Sequence, residues 1–183
     1  MKTKRIVAVF QNNGEQVVLR CPQLKDYEDI MHMHNECARN KDTVNPQTRQ
    51  TRKNERRWMI QRLSQVKSYD TVSLVAEISG TVVGGCSFWR LIGEPNVGVL
   101  GITLRKCARG RGIGSVMLGV LIDQVRRLPD GKKMNLLTLE TCRVNHAAVA
   151  LYKKFGFCET KKKQSMRIYH GKRRQRVHME RAL

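Results

Sequence analysis

The sequence predicts one mixed α/β (α+β) domain built around a sheet. Three observations carry that reading. The chain has 183 residues, enough for one substantial core and too few for two. Apolar residues make up 40% and charged residues 27%, the balance of an ordinary globular chain. Short β-branched runs alternate with segments of helical periodicity, in the order β-β-α-α-β-β-β-α-β-α-β-β. No repeat, low-complexity tract or domain linker interrupts this order. Residues 1–183 are therefore read as one domain, with 1–15 as an N-terminal hairpin extension and 165–183 as a basic C-terminal hairpin.

Ile6–Phe10 and Gln16–Arg20 are β-rich and flank Asn13-Gly14, a pair that tolerates the positive φ of a hairpin turn. After Pro22, Leu24, Tyr27, Ile30, Met31, His34 and Ala38 fall on one helical face, and His32 and His34 diverge on helix surface and edge. Asp42–Gln50 reads as a polar linker. A second helix follows to about Lys67, with Trp58, Met59, Leu63 and Val66 inward and Arg49, Arg52, Lys53, Arg56, Arg57 and Arg62 outward. Thr71–Ile78 and Thr81–Trp89 are strands joined at Ser79-Gly80, and Asn96–Leu104 is a third. A helix from Ile113 stops at Leu128-Pro129-Asp130-Gly131. A short buried strand begins at Leu136. Asn145 caps a helix through Phe155, closed by Gly156, and two strands surround His170-Gly171-Lys172.

Thirty-five Lys and Arg against 15 Asp and Glu give +20, and about half of that excess falls between Thr141 and Leu183. Such a field attracts nucleic acid, acidic protein or a phosphorylated cofactor, or else it is a solvated basic face. The longest apolar runs, as in Ile6–Phe10, are too short for a membrane span or a signal-peptide core. Six dispersed cysteines form no C-x-x-C pair and no zinc spacing, so packing thiols in a reducing cytoplasm are expected, with no metal site.

Arg109-Gly110-Arg111-Gly112-Ile113-Gly114-Ser115 lies between a strand and a helix. Glycines let backbone N–H groups close on a phosphate, the helix N-terminus adds partial positive charge, and Arg105, Lys106, Arg109 and Arg111 add more. A tight strand-to-helix turn is the plain alternative. No Gly-Lys-Ser/Thr closes the loop, which excludes a Walker nucleotide site. A dinucleotide fold fails as well, because too little chain follows Glu140 to complete its sheet.

The second motif is Asn145-x-x-Ala148-x-x-Leu151-Tyr152-x-x-x-Gly156-Phe157, preceded by a strand ending at Glu140. With Arg109, Gly112 and Gly114 as R-x-x-G-x-G, it resembles the GCN5-related N-acetyltransferase (GNAT) superfamily. In motif it is most similar to ribosomal-protein N-terminal alanine acetyltransferases. The resemblance spans about Val17 to the C-terminus. It implies a mostly antiparallel twisted sheet with about four helices, in which Val97–Leu104 and Leu136–Glu140, the family's fourth and fifth strands, splay apart.

What the resemblance implies for the site can be stated by residue. Acetyl-CoA would enter the gap and pair with the backbone of Ile102, Thr103 and Leu104. Its pyrophosphate would rest on amides of Arg109, Gly110, Arg111, Gly112, Ile113, Gly114 and Ser115. Asn145 would touch the pantetheine, cap its helix, or do both. A protonated alkylamine needs a base, and Glu140 is the candidate, with pairing to a nearby Arg as its structural alternative. Tyr152 would protonate the departing thiolate, or serve only as a packed aromatic. Val97–Lys106 holds no Asp or Glu, so the preceding strand offers no rival base. The final hairpin carries Lys172, Arg173, Arg174 and Arg176, where relatives often have tyrosine and acidic residues; a cationic rim disfavours a polyamine. A protein N-terminal α-amine is the favoured acceptor, with ribosome or RNA association through the basic surface. A small amine or aminoacyl-tRNA is the alternative acceptor, and a non-catalytic acyl-CoA-binding or RNA-associated protein the alternative class.

Overall fold

A computed structural model describes residues 5–40, 49–160 and 165–183. Met1–Lys4 and most of the expected linker Asp42–Gln50 lie outside them, as do three lysines of the basic tail. The first two strands, β1 (Ile6–Asn12) and β2 (Glu15–Arg20), turn at Asn13 and Gly14, both at positive φ. Helices α1 (Tyr27–Arg39) and α2 (Arg52–Lys67) follow, then the meander β3 (Thr71–Ile78), β4 (Thr81–Leu91) and β5 (Glu94–Leu104). Next come α3 (Ile113–Arg126), β6 (Leu136–Cys142), α4 (His146–Lys154), β7 (Cys158–Glu159), β8 (Met166–Tyr169) and β9 (Lys172–Ala182). The two-residue β7 is too short to be marked by hydrophobic alternation, and the sequence reading lacks it.

The strands form one sheet in the order β1-β2-β3-β4-β5-β6-β9-β7, with β8 on β9, and every pairing is antiparallel except β5–β6. Period-two alternation sends Leu74, Ala76, Cys86, Phe88, Leu100, Leu137 and Leu139 to one face, under Ile113, Met117, Leu121 and Val125 of α3. Val75 and Val82 face the other side, under Ile30 and Met33 of α1 and Met59 of α2. The buried stripe of α1 is thus Ile30, Met31, Met33 and Cys37, and Leu24 stands exposed in a preceding 3-10 turn. This corrects the expected stripe of Leu24, Tyr27, Ile30, Met31, His34 and Ala38: the helix starts at Tyr27, and its packing on the sheet turns Met33 inward. Among the described residues, no helix is long and apolar enough to cross a membrane.

Arg20 of β2 is fully buried. Its guanidinium donates to both carboxylate oxygens of Asp26 at 2.7 and 2.8 Å and to Glu77 of β3 at 2.7 Å. Removing Arg20 would leave two uncompensated carboxylates inside the protein, so this triad pins the entry of α1 to the sheet.

Candidate active site

β5 and β6 pair only at Val97–Leu136, Gly98–Leu137 and Val99–Thr138. They pack tightly at Gly98, where an added Cβ would lie 2.7 Å from the Phe88 ring and 2.9 Å from Leu137. Beyond Val99, β5 stays on β4 and β6 stays on β9, so the facing edges from Leu100 and Leu139 onward have no strand partner in each other. The splay expected between Val97–Leu104 and Leu136–Glu140 is present. Ile102, Thr103 and Leu104 lie on its β5 side.

The gap leads to the glycine loop. Gly112, at φ +78, is the N-cap of α3, and Gly110 is at φ +72. The amides at the two ends of the predicted segment are spent inside the turn: Arg109 N–H donates to the Lys106 carbonyl and Ser115 N–H to that of Gly112. Among the described residues, no acceptor meets the N–H groups of Gly110, Arg111, Gly112, Ile113 and Gly114. Five successive unmet donors at a helix N-terminus are suited to an anion. Gly114 also packs: its missing Cβ would sit 3.3 Å from Leu104, which lets α3 close on β5.

Three of the four side chains expected to reinforce the loop are engaged elsewhere. Arg105 reaches the Asp29 carbonyl, and Arg109 donates to the Leu104 carbonyl and reaches the Cys37 sulfur. Arg111 is gripped by the β1–β2 turn: Nε donates to Asn12 Oδ1 at 2.9 Å and Nη2 to Glu15 at 2.6 Å, while Asn12 Nδ2 donates to the Arg111 carbonyl at 2.7 Å. These cations contribute field, and the backbone supplies the unmet donors.

Glu140 lies on β6 two residues past the last β5–β6 pair, level with Gly101 and on the same face. Its carboxylate accepts from Arg176 Nη1, and His178 Nδ1 lies 3.2 Å away. Arg176 is buried, its Nε and Nη2 without hydrogen-bond partners, so it is a counter-ion to Glu140 and not part of an exposed rim as the sequence suggested. The exposed cations of that hairpin are Arg167, Lys172 and Arg173, with Arg174 half-buried. Asn145 caps α4, its Oδ1 accepting from Ala148 N–H at 3.3 Å. Tyr152 is 5% exposed and meets the Phe157 ring edge-on; burial raises its phenol pKa, with a smaller effect from Cys86. The hydroxyl therefore stays protonated at neutral pH.

On the face opposite α3, a cavity of about 310 Å³ lies between the α1–α2 pair and β3–β5, with Ser87, Gly101 and Thr103 among its lining residues. Residues of α1 and α2 also line it. Glu55 is 2% exposed, and His34 Nδ1 stands 3.3 Å from its carboxylate. Arg62, expected outward, is half-buried with its guanidinium 5.0 Å from the Trp58 ring and 5.6 Å from the Trp89 ring. Trp58, expected inward, keeps 36% of its surface exposed. The i, i+7 spacing of Glu55 and Arg62 was the available signal, masked because neighbouring helix positions are also basic. Cys37, Cys86 and Cys142 are buried.

Residues 27–157 match the family described as Acetyltransferase (GNAT) family. Among solved structures, the chain resembles the ribosomal-protein-alanine N-acetyltransferase of Brucella melitensis at 25% identity, covering 90% of this chain and 99% of that one, TM-score 0.76. It also resembles a GNAT superfamily phosphinothricin acetyltransferase of Sinorhizobium meliloti in complex with acetyl-CoA, at 21% identity over 91% and 88% of the two chains, TM-score 0.76. RimL, a ribosomal L7/L12 alpha-N-protein acetyltransferase in complex with coenzyme A, is 15% identical over 98% of each chain, TM-score 0.76. No curated protein matches the chain. The family match extends from the first helix past the glycine loop to the end of α4, and on that span the chain belongs to the GNAT acetyltransferase family.

Proposed function

We propose that the protein moves the acetyl group of acetyl-CoA directly onto a primary amine, and that the favoured acceptor is a protein N-terminal α-amine. The observation that carries this reading is the run of five unmet amides at Gly110–Gly114, placed beside a strand edge left open by the splay. An anionic diphosphate suits the amides. An amide-bearing arm suits the edge, which it would extend as an added strand.

In this reading the amides of Gly110–Gly114 bind the diphosphate, and the backbone of Ile102, Thr103 and Leu104 aligns the arm. Asn145 orients it while capping α4. Glu140 removes one proton from the acceptor ammonium, directly or through water. The freed nitrogen lone pair forms the C–N bond, and a backbone N–H near Leu104 holds the oxyanion. As the C–S bond breaks, Tyr152 gives its phenolic proton to the sulfur, and the second proton lost by the nitrogen returns through water to the phenolate. The cavity above Gly101 receives the acceptor. Exposed Arg52, Lys53, Arg56 and Arg57 on α2, with Lys172 and Arg173, support delivery of that amine on a polyanionic surface such as a ribosome.

Thiol release from acetyl-CoA, followed with a panel of N-terminal peptides, tests the proposal. Acceptor-dependent thiol with an acetylated α-amine is expected. Acetyl-CoA binding with no acceptor-dependent thiol would make the protein a sensor and end the proposal.

A further inference from the structure

Arg62 sits in a setting that asks for an anion. Its guanidinium lies over the rings of both Trp58 and Trp89, the two tryptophans of the sequence. Nη1 donates to the Thr71 hydroxyl at 3.1 Å, and Nε is buried without a partner. Among the described residues, no carboxylate comes within ion-pair distance of it. Burial is the sole cause acting on its acidity, and it lowers the pKa. A desolvated guanidinium with spare donors is costly unless a ligand completes it, and a carboxylate matches its planar fork.

The position of Arg62 ties it to the chemistry. The Trp89 ring that it faces also lies 3.4 Å from where a Gly101 Cβ would be, on the strand whose open edge begins after Val99. An anion held on Arg62 therefore sits one indole away from the place where the amine must react. At the other end of the cavity, Glu55 is one helical i, i+7 step from Arg62, about 10 Å along α2. His34 Nδ1 stands 3.3 Å from the Glu55 carboxylate.

We propose that the acetyl acceptor carries a carboxylate close to its reactive amine, bound by Arg62 beside Trp58 and Trp89, and that in a protein acceptor this is an acidic side chain at the first or second residue. This rests on the reading of the cavity above Gly101 as the acceptor site. A free acidic amino acid presents the same chemistry and is a separate arm of the test.

The test compares kcat/KM for peptides beginning with Asp or Glu against their Asn or Gln counterparts, in the wild type and in Arg62→Gln. The wild type is expected to favour the acidic peptides by about 10- to 100-fold, the worth of one charge-assisted contact, and Arg62→Gln to bring the ratio close to one. Acetyl-CoA affinity of the variant reports whether it is folded. Arg62→Lys, which keeps charge and loses the fork, is expected to fall between the two. Fluorescence of Trp58 and Trp89 supplies a second readout that needs no turnover. Titration with a Glu-first tripeptide should change the wild-type signal, and its Gln-first counterpart should not. If acidic free amino acids are acetylated and no peptide is, the N-terminus reading falls while anion recognition by Arg62 stands. A wild-type acid-to-amide ratio near one, a ratio unaltered in Arg62→Gln, or a fluorescence response indifferent to the carboxylate overturns the proposal.

Discussion

Replacing Glu140 by Gln separates two roles that share one side chain. The carboxylate answers the guanidinium of Arg176, whose side chain is 8% exposed, while Glu140 itself is 31% exposed. A charge-assisted contact of this kind is worth about 1.5–3 kcal/mol, and partial exposure of Glu140 places the loss near the lower end, at about 2 kcal/mol. For a chain of this length that is a drop of roughly 4–8 °C in Tm. If Glu140 is also the base, kcat should fall by about 10²- to 10⁴-fold. Adding Arg176→Gln removes the stranded cation. The double variant should recover much of the lost Tm and none of the lost kcat. Thermal melts and single-turnover thiol release on the wild type, both single variants and the double variant complete the cycle. Activity that returns together with stability, or a kcat untouched in Glu140→Gln, would show the carboxylate to be only the counter-ion of Arg176.

Other expectations follow from individual contacts. Gly112→Ala places a side chain at φ +78 where nothing lies within 4 Å, so its cost is backbone strain of about 1–2 kcal/mol without a clash. KM for acetyl-CoA should rise as the amides shift, and an unchanged KM would detach the loop from the cofactor. Tyr152→Phe should slow single-turnover thiol release by about a hundredfold with little effect on acetyl-CoA affinity; equal rates would return the phenol to packing. Burial pushes the Cys86 thiol up from 9.0 to about 12, so the folded protein holds that proton more tightly than the unfolded chain does. Stability from this group is complete below pH 9 and declines toward pH 12, by up to about 1.4 kcal/mol per pH unit. Urea titrations at pH 8 and 10.5 should show a shallower alkaline loss for Cys86→Ala, and an equal slope would place the titration elsewhere.

The parts of the site that could be read from the chain are those whose requirement is local. Asn13-Gly14 announces a turn because two adjacent residues must take positive φ, and both do. Gly110 and Gly112 mark the loop for the same reason, and Asn145 marks a helix start through its own hydrogen bond to Ala148. Each of these asks a question that a few neighbouring residues answer.

Partnership over long separations is a different matter. Arg62 and Glu55 look like members of a solvated, charge-rich helix until His34 of α1 and Trp89 of β4 are brought against them. Arg176 looks like one more cation of a basic hairpin until β9 aligns with β6 and buries it against Glu140. Arg20 meets Glu77 across 57 residues only because β2 pairs with β3. Dihedral preference and capping chemistry are carried within a turn of chain, so composition and spacing determined the elements, the glycine loop and the family. Burial of a charge depends on which surfaces close over it. The acceptor cavity and the partners of its charged residues were therefore decided only when sheet register and helix docking brought distant segments together.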